Sequence, residues 1–321
     1  MTKKIIIISG DPNSINSEII YKSWKKCSKS QRKKIYLISN HKLLIKQFDK
    51  LKYPIKLIKV NGVRESSNDD RLKIIDVDLR FTNPFKVPKK SASKFVISSL
   101  NLAHKIALKR DVCGIINCPI NKNLINKNET SKNGVTEFLA SKCKIRNNSE
   151  VMLINNKKLS VSPITTHIDL KDVSKKLKTK SIINKTNTIN RWFKERFNRK
   201  PKIGILGLNP HNSEFRKNSE ELKIIIPAIN HLKKKGLKVL GPLVSDTIFI
   251  NQYKNYDVIV GMYHDQVLAP FKTLFKFNAI NITLGLKYKR VSPDHGVASE
   301  LIGKRKANPQ SLIDCLKFLS K

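Results

Sequence analysis

The sequence predicts an α/β fold with a mostly parallel sheet, and three observations lead to that prediction. Short runs rich in Ile, Val and Leu alternate along the chain with stretches whose apolar residues recur at helical spacing. Most of the short runs are continuously apolar, as parallel strands covered on both faces are. The chain of 321 residues is long enough to bury a large core, in one domain or in two lobes. Strand–helix alternation on this scale favours an α/β architecture.

The predicted strands are apolar runs bounded by polar or turn residues. In chain order they span residues 5–9, 34–39, 55–60, 114–118, 151–154, 159–164, 202–209, 257–263 and 279–284. The runs 151–154 and 159–164 flank the polar turn Asn155-Asn156-Lys157-Lys158, which indicates a hairpin in a second lobe or at a dimer contact. The predicted helices span residues 91–110, 181–197, 219–235 and 309–319. The sequence shows no internal repeat and no Gly/Ser-rich linker, so we expect two lobes to interleave.

Cysteine usage and hydropathy place the chain in a reducing, aqueous compartment. Five cysteines form no CxxC pair, which favours free thiols over a disulfide framework or a zinc knuckle. The apolar run at residues 5–8 is too short for a signal-peptide core. No stretch approaches the roughly 20 apolar residues that span a bilayer. We therefore expect a soluble, cytoplasmic protein without a membrane partner.

The net charge of +40, from 64 Lys and Arg against 24 Asp and Glu, is unusual. Such a charge would suit a nucleic-acid binder. The lysines are nevertheless scattered among many Ile and Asn residues, without a basic tail or an aromatic-studded basic strand that could stack bases. A compositional bias is the better interpretation, and we expect no nucleic-acid partner. The positive field would still attract an anionic substrate such as a phosphate ester.

Polar segments follow five of the predicted strands, where ligands of α/β sheets gather. They are Ser9-Gly10-Asp11-Pro12, Asn117-Cys118-Pro119-Ile120-Asn121-Lys122, Thr165-Thr166-His167, Asn209-Pro210-His211 and Tyr263-His264-Asp265-Gln266. Three of these segments carry a histidine at the same topological position. Imidazole is the usual protein ligand for Zn, Co, Ni or Fe, and three protein ligands leave a position open for substrate. The pattern makes His167, His211 and His264 candidate metal ligands, and ordinary surface or capping histidines are the alternative interpretation.

Other histidines and other motifs point to no further site. His41, His104 and His231 are expected to be ordinary surface or packing residues, and His295 stays open because it lies in a loop near the same rim. The chain has no GxGxxG after its first strand, no GxxxxGK[ST] and no Ser-His-Asp nucleophile elbow. A Rossmann dinucleotide site of the usual form is therefore not supported.

The chain resembles the 4-hydroxythreonine-4-phosphate dehydrogenase family of pyridoxal-phosphate biosynthesis over nearly its whole length. The order and co-occurrence of short blocks carry the resemblance. They are Gly10-Asp11-Pro12 with Glu18, Cys118-Pro119-Ile120-Asn121-Lys122, residues 134–140, Thr165-Thr166-His167, Gly207-Leu208-Asn209-Pro210-His211, Glu220-Glu221, Ile225-Ile226-Pro227-Ala228, Gly261-Met262-Tyr263-His264-Asp265-Gln266, Asn281-Ile282-Thr283-Leu284-Gly285-Leu286 and Ser292-Pro293-Asp294-His295-Gly296.

The resemblance implies an isopropylmalate-dehydrogenase-like fold with two α/β lobes around a cleft, and a homodimer whose active sites the partner subunit completes. His167, His211 and His264 match the family's divalent-metal ligands. The residues that match substrate-binding positions are Thr136, Lys272, Asn281 and Arg290. Asp246 matches an acidic position near the metal, and Asp246 and Lys272 are the implied catalytic residues. The implied cofactors are NAD or NADP and a divalent cation (Zn, Co or Mg).

The implied reaction is the NAD(P)-dependent oxidation of 4-phosphohydroxy-L-threonine, with decarboxylation to 3-amino-2-oxopropyl phosphate. A metal would lower the pKa of the substrate hydroxyl, and a base would take its proton as hydride leaves. Lys272 would bind an anionic group as a point charge, and Arg290 would do so through a bidentate fork. For the base the sequence leaves Asp246, Asp265, a lysine or a water open, and three imidazoles favour Zn or Co over Mg.

Two departures from the family pattern bear on the substrate. Val135 stands where the family has histidine, and losing a hydrogen bond to an anion costs about 1.5–3 kcal/mol. The segment after His211 lacks the family's glycines, so it must approach a ligand differently. Three alternatives therefore stay open: a paralogue acting on phospho-threonate or phospho-erythronate, an acyl-phosphate transferase of the same fold, and a non-enzymatic nucleic-acid binder.

Overall fold

The computed structural model describes residues 3–65, 70–109, 111–125, 134–145, 149–276 and 278–320. The strands are β1 (Lys4–Ile8), β2 (Ile35–Ser39), β3 (Leu57–Lys59), β4 (Leu72–Asp76), β5 (Val112–Asn117), β6 (Val151–Asn155), β7 (Ser160–Pro163), β8 (Ile203–Leu206), β9 (Val239–Leu243), β10 (Val258–Gly261), β11 (Ile280–Leu284) and β12 (Arg290–Pro293). The helices are α1 (Asn16–Lys26), α2 (Lys29–Arg32), α3 (His41–Leu51), α4 (Lys89–Ala107), α5 (Val135–Lys142), α6 (Val173–Lys176), α7 (Thr179–Phe197), α8 (Ile226–Lys234), α9 (Ser245–Ile248), α10 (His264–Phe275) and α11 (Gln310–Ser320). Among the described residues, no helix is long and apolar enough to cross a membrane.

The chain forms two compact units. Unit 1 combines Met1–Cys143 with Lys287–Lys321, and unit 2 is the intervening segment Lys144–Leu286. The strands of unit 1 lie in the order β3-β4-β2-β1-β5-β12, and neighbouring strands are parallel. The isoleucines of β1 and all five residues of β2 are buried, because α-helices between parallel strands cover both faces of such a sheet.

Unit 2 has a mixed sheet in the order β11-β6-β7-β10-β8-β9. The strand β6 is antiparallel to both of its neighbours, whereas β7, β10, β8 and β9 are mutually parallel. Its core packs side chains of the sheet against α10, including Ile154, Val161, Leu206, Ile259 and Phe271. The parallel set brings the carboxyl ends of four strands to one edge of the sheet, which we call the carboxyl edge of unit 2.

The predicted α/β fold with its mostly parallel sheet is confirmed, and so is the hairpin, now seen as β6 and β7 of unit 2. The prediction missed β4, β9 and β12. It was wrong at the start of the helix expected at residues 219–235, because a π-helical turn at Glu221–Ile225 precedes α8. The helix expected at 91–110 is α4, and residue 110 lies outside the described residues.

A charge pair ties together the amino ends of β8 and β10. The Arg199 guanidinium donates to both carboxylate oxygens of Asp257 at 2.7 and 2.8 Å, and the Lys202 backbone N–H donates to one of them. The hydrogen bond from Arg199 is the main cause that lowers the pKa of Asp257. Because Arg199 is half exposed, solvent weakens this pair.

We expect Asp257→Asn to lower the free energy of unfolding by about 1 kcal/mol, measured by urea unfolding at pH 7, and to leave any catalysis at the opposite edge unchanged. Since the folded-state pKa is depressed, this stabilisation is present above the unfolded-state pKa and is lost as the pH falls through the folded value. The matched control is Asp169→Asn, at a carboxylate that is 75% exposed and 3.9 Å from Lys171. Equal stability of the two variants would contradict the assignment.

Candidate active site

Four predicted site residues lie just beyond the carboxyl edge of unit 2. His167 follows β7, His211 follows β8, Asp246 follows β9, and His264 follows β10 and begins α10. Two pairs of these residues are close together. The ring centroids of His167 and His264 are 5.8 Å apart, and Nε2 of His211 lies 3.6 Å from a carboxylate oxygen of Asp246. The topology therefore brings the predicted metal ligands and the predicted acidic residue to one edge.

His264 is oriented by its neighbour in sequence. Its Nδ1 lies 2.6 Å from a carboxylate oxygen of Asp265. A carboxylate that accepts from one imidazole nitrogen fixes the tautomer and leaves the other nitrogen able to bind a metal, an arrangement common among histidine ligands. The chemistry of this pair fits a metal-binding role for His264. Asp265, which the sequence left open as a candidate base, is positioned to orient the His264 ring.

The segment around His211 has an unusual backbone. Residues 211–215 all have φ between 43° and 57°, the left-handed region, although none of them is glycine. This conformation costs roughly 1–2 kcal/mol per non-glycine residue. The glycine-free loop therefore adopts a left-handed turn that glycine residues would adopt at lower cost. The turn leaves the His211 side chain 68% exposed, with Nδ1 3.7 Å from Glu214 and Nε2 toward Asp246.

Contacts on the inner side of this turn hold it in place. Asn212 is buried and donates to the Pro242 carbonyl at 3.2 Å. Its side-chain oxygen lies where a Cβ on Gly207 would be, 2.0 Å from that position. Glycine is therefore required at residue 207, because any side chain there would displace Asn212 and with it the turn that carries His211.

A buried carboxylate anchors the chain between β8 and His211. One oxygen of Glu221 accepts from the backbone N–H groups of Leu208 and Asn209 at 2.8 and 2.9 Å, and the other accepts from the Asn209 side chain at 3.1 Å. Glu220 accepts a further bond from the same side chain. Burial alone would raise the pKa of Glu221, but the hydrogen bonds from Asn209 and Leu208 outweigh it and lower the pKa below the ordinary value of 4.5.

We expect Glu221→Gln to destabilise unit 2 by about 1.5–3 kcal/mol at pH 7, because its amide NH₂ would face the Asn209 donor. The Glu221 pKa is depressed on folding, so its stabilisation is complete above the unfolded-state pKa and declines as the pH falls through the folded value. The variant should therefore lose less stability than the wild type below about pH 4.5. Chemical unfolding across pH 3–7 measures both effects, with the exposed Glu195→Gln as the control. Parallel pH profiles would refute the role of Glu221.

No group of three or more His, Cys, Asp or Glu side chains in the described part of one chain is close enough together to hold a metal ion. The predicted metal site at His167, His211 and His264 thus stays a prediction. Unit 2 brings the three histidines and Asp246 to one edge, as the pairs His167–His264 and His211–Asp246.

Lys272 and Asn281 lie away from this edge. Lys272 is in the last turn of α10, eight residues beyond His264 and so about 12 Å along the helix. Asn281 is the second residue of β11, a strand that runs in the same direction as β7 because both are antiparallel to β6. The Asn281 side-chain oxygen is buried and has no hydrogen-bond donor among the described residues. Unit 2 therefore does not bring these two predicted substrate-binding residues next to the histidines.

Thr136 and Arg290 form a second cluster, in unit 1. Arg290 begins β12 and is only 3% exposed. Its Nε donates to the side-chain oxygen of Asn117 at 2.5 Å, and a terminal nitrogen donates to the Thr136 hydroxyl at 3.3 Å. Burial lowers the pKa of Arg290 to about 10, so the guanidinium stays charged at neutral pH. A buried, oriented cation of this kind is suited to bind an anionic group.

Sequence reasoning gave no role to Asn117, Glu221 or Gln266, although each lies in a segment that it singled out. Asn117 ends a buried strand, and Glu221 is a carboxylate inside an apolar helical pattern. A polar residue at such a position indicates a structural or functional hydrogen bond, since a buried polar group needs a hydrogen-bond partner. The sequence does not show which partner each one has.

The chain matches known proteins over nearly its whole length. A family model described as pyridoxal phosphate biosynthetic protein PdxA matches residues 31–319. A 4-hydroxythreonine-4-phosphate dehydrogenase of Sulfurihydrogenibium sp. is 39% identical, over 98% of this chain and 97% of the relative. That of Aquifex aeolicus is 37% identical, over 99% of this chain and 98% of the relative. The crystal structure of the Klebsiella pneumoniae enzyme of the same name is similar with a TM-score of 0.84, at 28% identity and with all of both chains covered.

Proposed function

The chain belongs to the PdxA family of pyridoxal phosphate biosynthesis, and on that premise we propose that it is an NAD(P)-dependent 4-hydroxythreonine-4-phosphate dehydrogenase. The substrate would be 4-phosphohydroxy-L-threonine and the product, after loss of CO₂, 3-amino-2-oxopropyl phosphate. The observation that carries the proposal is the placement of His167, His211, Asp246 and His264 beyond neighbouring parallel strands of unit 2.

The three histidines are the residues that would hold a divalent cation, Zn or Co in preference to Mg. When bound, the metal ion and NAD(P) supply the acidification of the substrate hydroxyl and the acceptor for its hydride. Asp265 orients the His264 ring through Nδ1. Asp246, which is 60% exposed and close to His211, is our candidate to take the hydroxyl proton. Lys272, which lies about 12 Å along α10 from His264, is a second catalytic candidate on the family resemblance alone.

The substrate's anionic groups define the remaining roles. Arg290 is proposed to bind one of them, with Thr136 and Asn117 fixing its guanidinium. Lys272 and Asn281 are proposed as further substrate contacts on the family resemblance alone, since unit 2 places both away from the histidines of the same chain. The buried side-chain oxygen of Asn281 is an acceptor suited to a hydroxyl or ammonium donor. The net charge of +40 would raise the rate of encounter with a phosphorylated substrate.

We include a homodimer with shared active sites in the proposal. A site for hydride transfer has to exclude water, whereas His211 and Asp246 are more than half exposed in one chain. Large apolar side chains in the segments that follow His167, His211 and Asp246 are also exposed: Leu170 is 70% exposed, Ile250 68% and Phe215 48%. A second copy that covered this edge would bury these side chains together with the histidines. The five free cysteines are consistent with a reducing cytoplasm as the compartment.

The experiment that tests the function is NAD or NADP reduction with 4-phosphohydroxy-L-threonine, on metal-stripped protein before and after addition of Zn²⁺, Co²⁺ or Mg²⁺. Metal-dependent turnover is the expected result, and comparing the two nucleotides identifies the cofactor. Metal-independent formation of an acyl phosphate, without dehydrogenase activity, would favour the acyltransferase alternative. Salt-dependent DNA binding without dehydrogenase activity would favour the nucleic-acid binder.

One observation favours a second candidate substrate. Val135 opens α5, directly before the Thr136 that contacts Arg290, and valine cannot replace the hydrogen bond of the family's histidine. The departure at Val135 therefore keeps open a paralogue that oxidises phospho-threonate or phospho-erythronate. Turnover of those compounds, but not of 4-phosphohydroxy-L-threonine, would support this candidate. Val135→His should then shift preference toward the amino-acid substrate.

A further inference from the structure

The side chain of Gln266 is at the centre of a hydrogen-bond network beneath the carboxyl edge of unit 2. Its Nε2 donates to the Gly207 carbonyl at 2.7 Å and to the Ser245 hydroxyl at 2.8 Å. Its Oε1 accepts from the Met262 backbone N–H at 2.6 Å. The side chain is nearly buried, at 9% exposure, so these bonds are shielded from competing water.

Each of these bonds leads to a different residue of the proposed metal site. Gly207 starts the segment that reaches His211, Ser245 directly precedes Asp246, and Met262 lies two residues before His264. The segment that carries His167 is connected to this network through Met262. The Met262 carbonyl accepts from both the backbone N–H and the hydroxyl of Thr165, which lies two residues before His167. One amide therefore connects the strand ends that carry all three histidines and Asp246.

On the basis of the function proposed above, we propose that Gln266 is a positioning residue that sets the relative positions of the three histidines for metal binding. Its side-chain hydrogen bonds go to these segments and not to the histidine rings. It acts by bonding to the carbonyl of Gly207, the hydroxyl of Ser245 and the N–H of Met262, which holds the three segments together.

The amide is the group that this position requires. The Gly207 carbonyl can only accept and the Met262 N–H can only donate, so the side chain between them must offer both a donor and an acceptor. A carboxylate of the same shape would place an acceptor against the Gly207 carbonyl. The backbone also makes room for the amide, since a Cβ on Gly261 would lie 2.9 Å from Oε1 of Gln266.

The test measures Co²⁺ affinity of the metal-stripped full-length protein by competition with a chromogenic chelator, together with the Tm of the metal-free protein. Gln266→Glu retains the acceptor for Met262 and loses the bond to Gly207. Gln266→Met loses all three bonds at nearly constant volume. We expect both variants to bind Co²⁺ about 10–100-fold more weakly than the wild type, the range typical when partners that orient metal ligands are replaced.

The matched control is Gln252→Glu, an exposed glutamine of the same unit, which should bind Co²⁺ like the wild type. Affinity is compared well below the Tm of each variant, where the protein is folded. A merely structural role of Gln266 would lower the Tm of the variants and leave their Co²⁺ affinity unchanged. That outcome in both variants would overturn the positioning role alone. Failure of the wild-type protein to bind Co²⁺ would overturn the metal-dependent function and, with it, the role of Gln266.

Discussion

His264→Ala is expected to abolish metal-dependent reduction of NAD(P), lowering kcat/KM by roughly 10²–10⁴-fold, since a metal ion that stabilises developing charge contributes several kcal/mol. His264 is the candidate ligand whose surroundings are best defined. Its ring is paired with His167 at 5.8 Å and oriented by Asp265. Removing the imidazole should also lower the Co²⁺ stoichiometry of the reloaded protein. Turnover and metal content are therefore measured on the same preparation.

The control for this variant is His231→Ala, an exposed histidine of α8 in the same unit. It should retain full turnover and metal content. Asp265→Asn provides an intermediate case, because the ring of His264 stays but loses its orienting carboxylate. We expect this variant to bind metal about 10–100-fold more weakly. If His264→Ala keeps wild-type metal content and turnover, the metal site has been assigned to the wrong residues.

The strands that the sequence failed to predict each contain residues that argue against a strand. In β4, Lys73 interrupts the apolar run, yet it is buried, with its ammonium 5.0 Å from the centre of the Tyr36 ring and a hydrogen bond to the Arg32 carbonyl. In β9, a Gly–Pro pair is tolerated because the strand is at the edge of the sheet. In β12, a buried arginine opens a run of only four residues. These contacts are made by distant residues, so local pattern could not indicate them.

The candidate site was predictable to the extent that it depends on strand direction. Histidines that follow parallel strands must emerge at one edge, and His167, His211 and His264 do so. Family resemblance alone assigned Lys272 and Asn281, and the structure places both away from that edge. The hydrogen bonds of Gln266 and Glu221 could not be derived from spacing, because they join residues 59, 21, 13 and 12 positions apart through side-chain geometry. Local sequence also cannot show that Gln266 and Glu221 are buried.

The left-handed turn at His211 shows why composition can mislead at a site. A segment without glycine argues against a left-handed backbone, yet residues 211–215 all have positive φ. The conformation is compensated by the buried Asn212, which fits against Gly207 and bonds to the Pro242 carbonyl. Gly207, which leaves the space that the Asn212 side chain fills, therefore helps to hold this turn in place.

The second large effect is expected at Arg290. Arg290→Met should raise the KM for the phosphorylated substrate by roughly 10–100-fold, because hydrogen bonds to charged groups contribute about 1.5–3 kcal/mol, while the metal content of the protein stays unchanged. Arg290→Lys should recover only part of the loss. A lysine retains the charge but lacks the fork that bonds both Asn117 and Thr136.

The pH dependence of substrate binding separates a charge effect from a packing effect at Arg290. Burial lowers the pKa of its guanidinium to about 10, so the wild-type KM should rise as the pH approaches that value and the positive charge is lost. Arg290→Met has no charge to lose at this position, and its KM should be flatter over the same range. The exposed Arg80→Met serves as the control and should follow the wild type. A cation that binds an anionic group of the substrate must affect KM both when it loses its charge and when it is removed. A wild-type KM that is independent of pH up to 10, together with an unchanged KM in Arg290→Met, would therefore show that Arg290 does not bind the substrate.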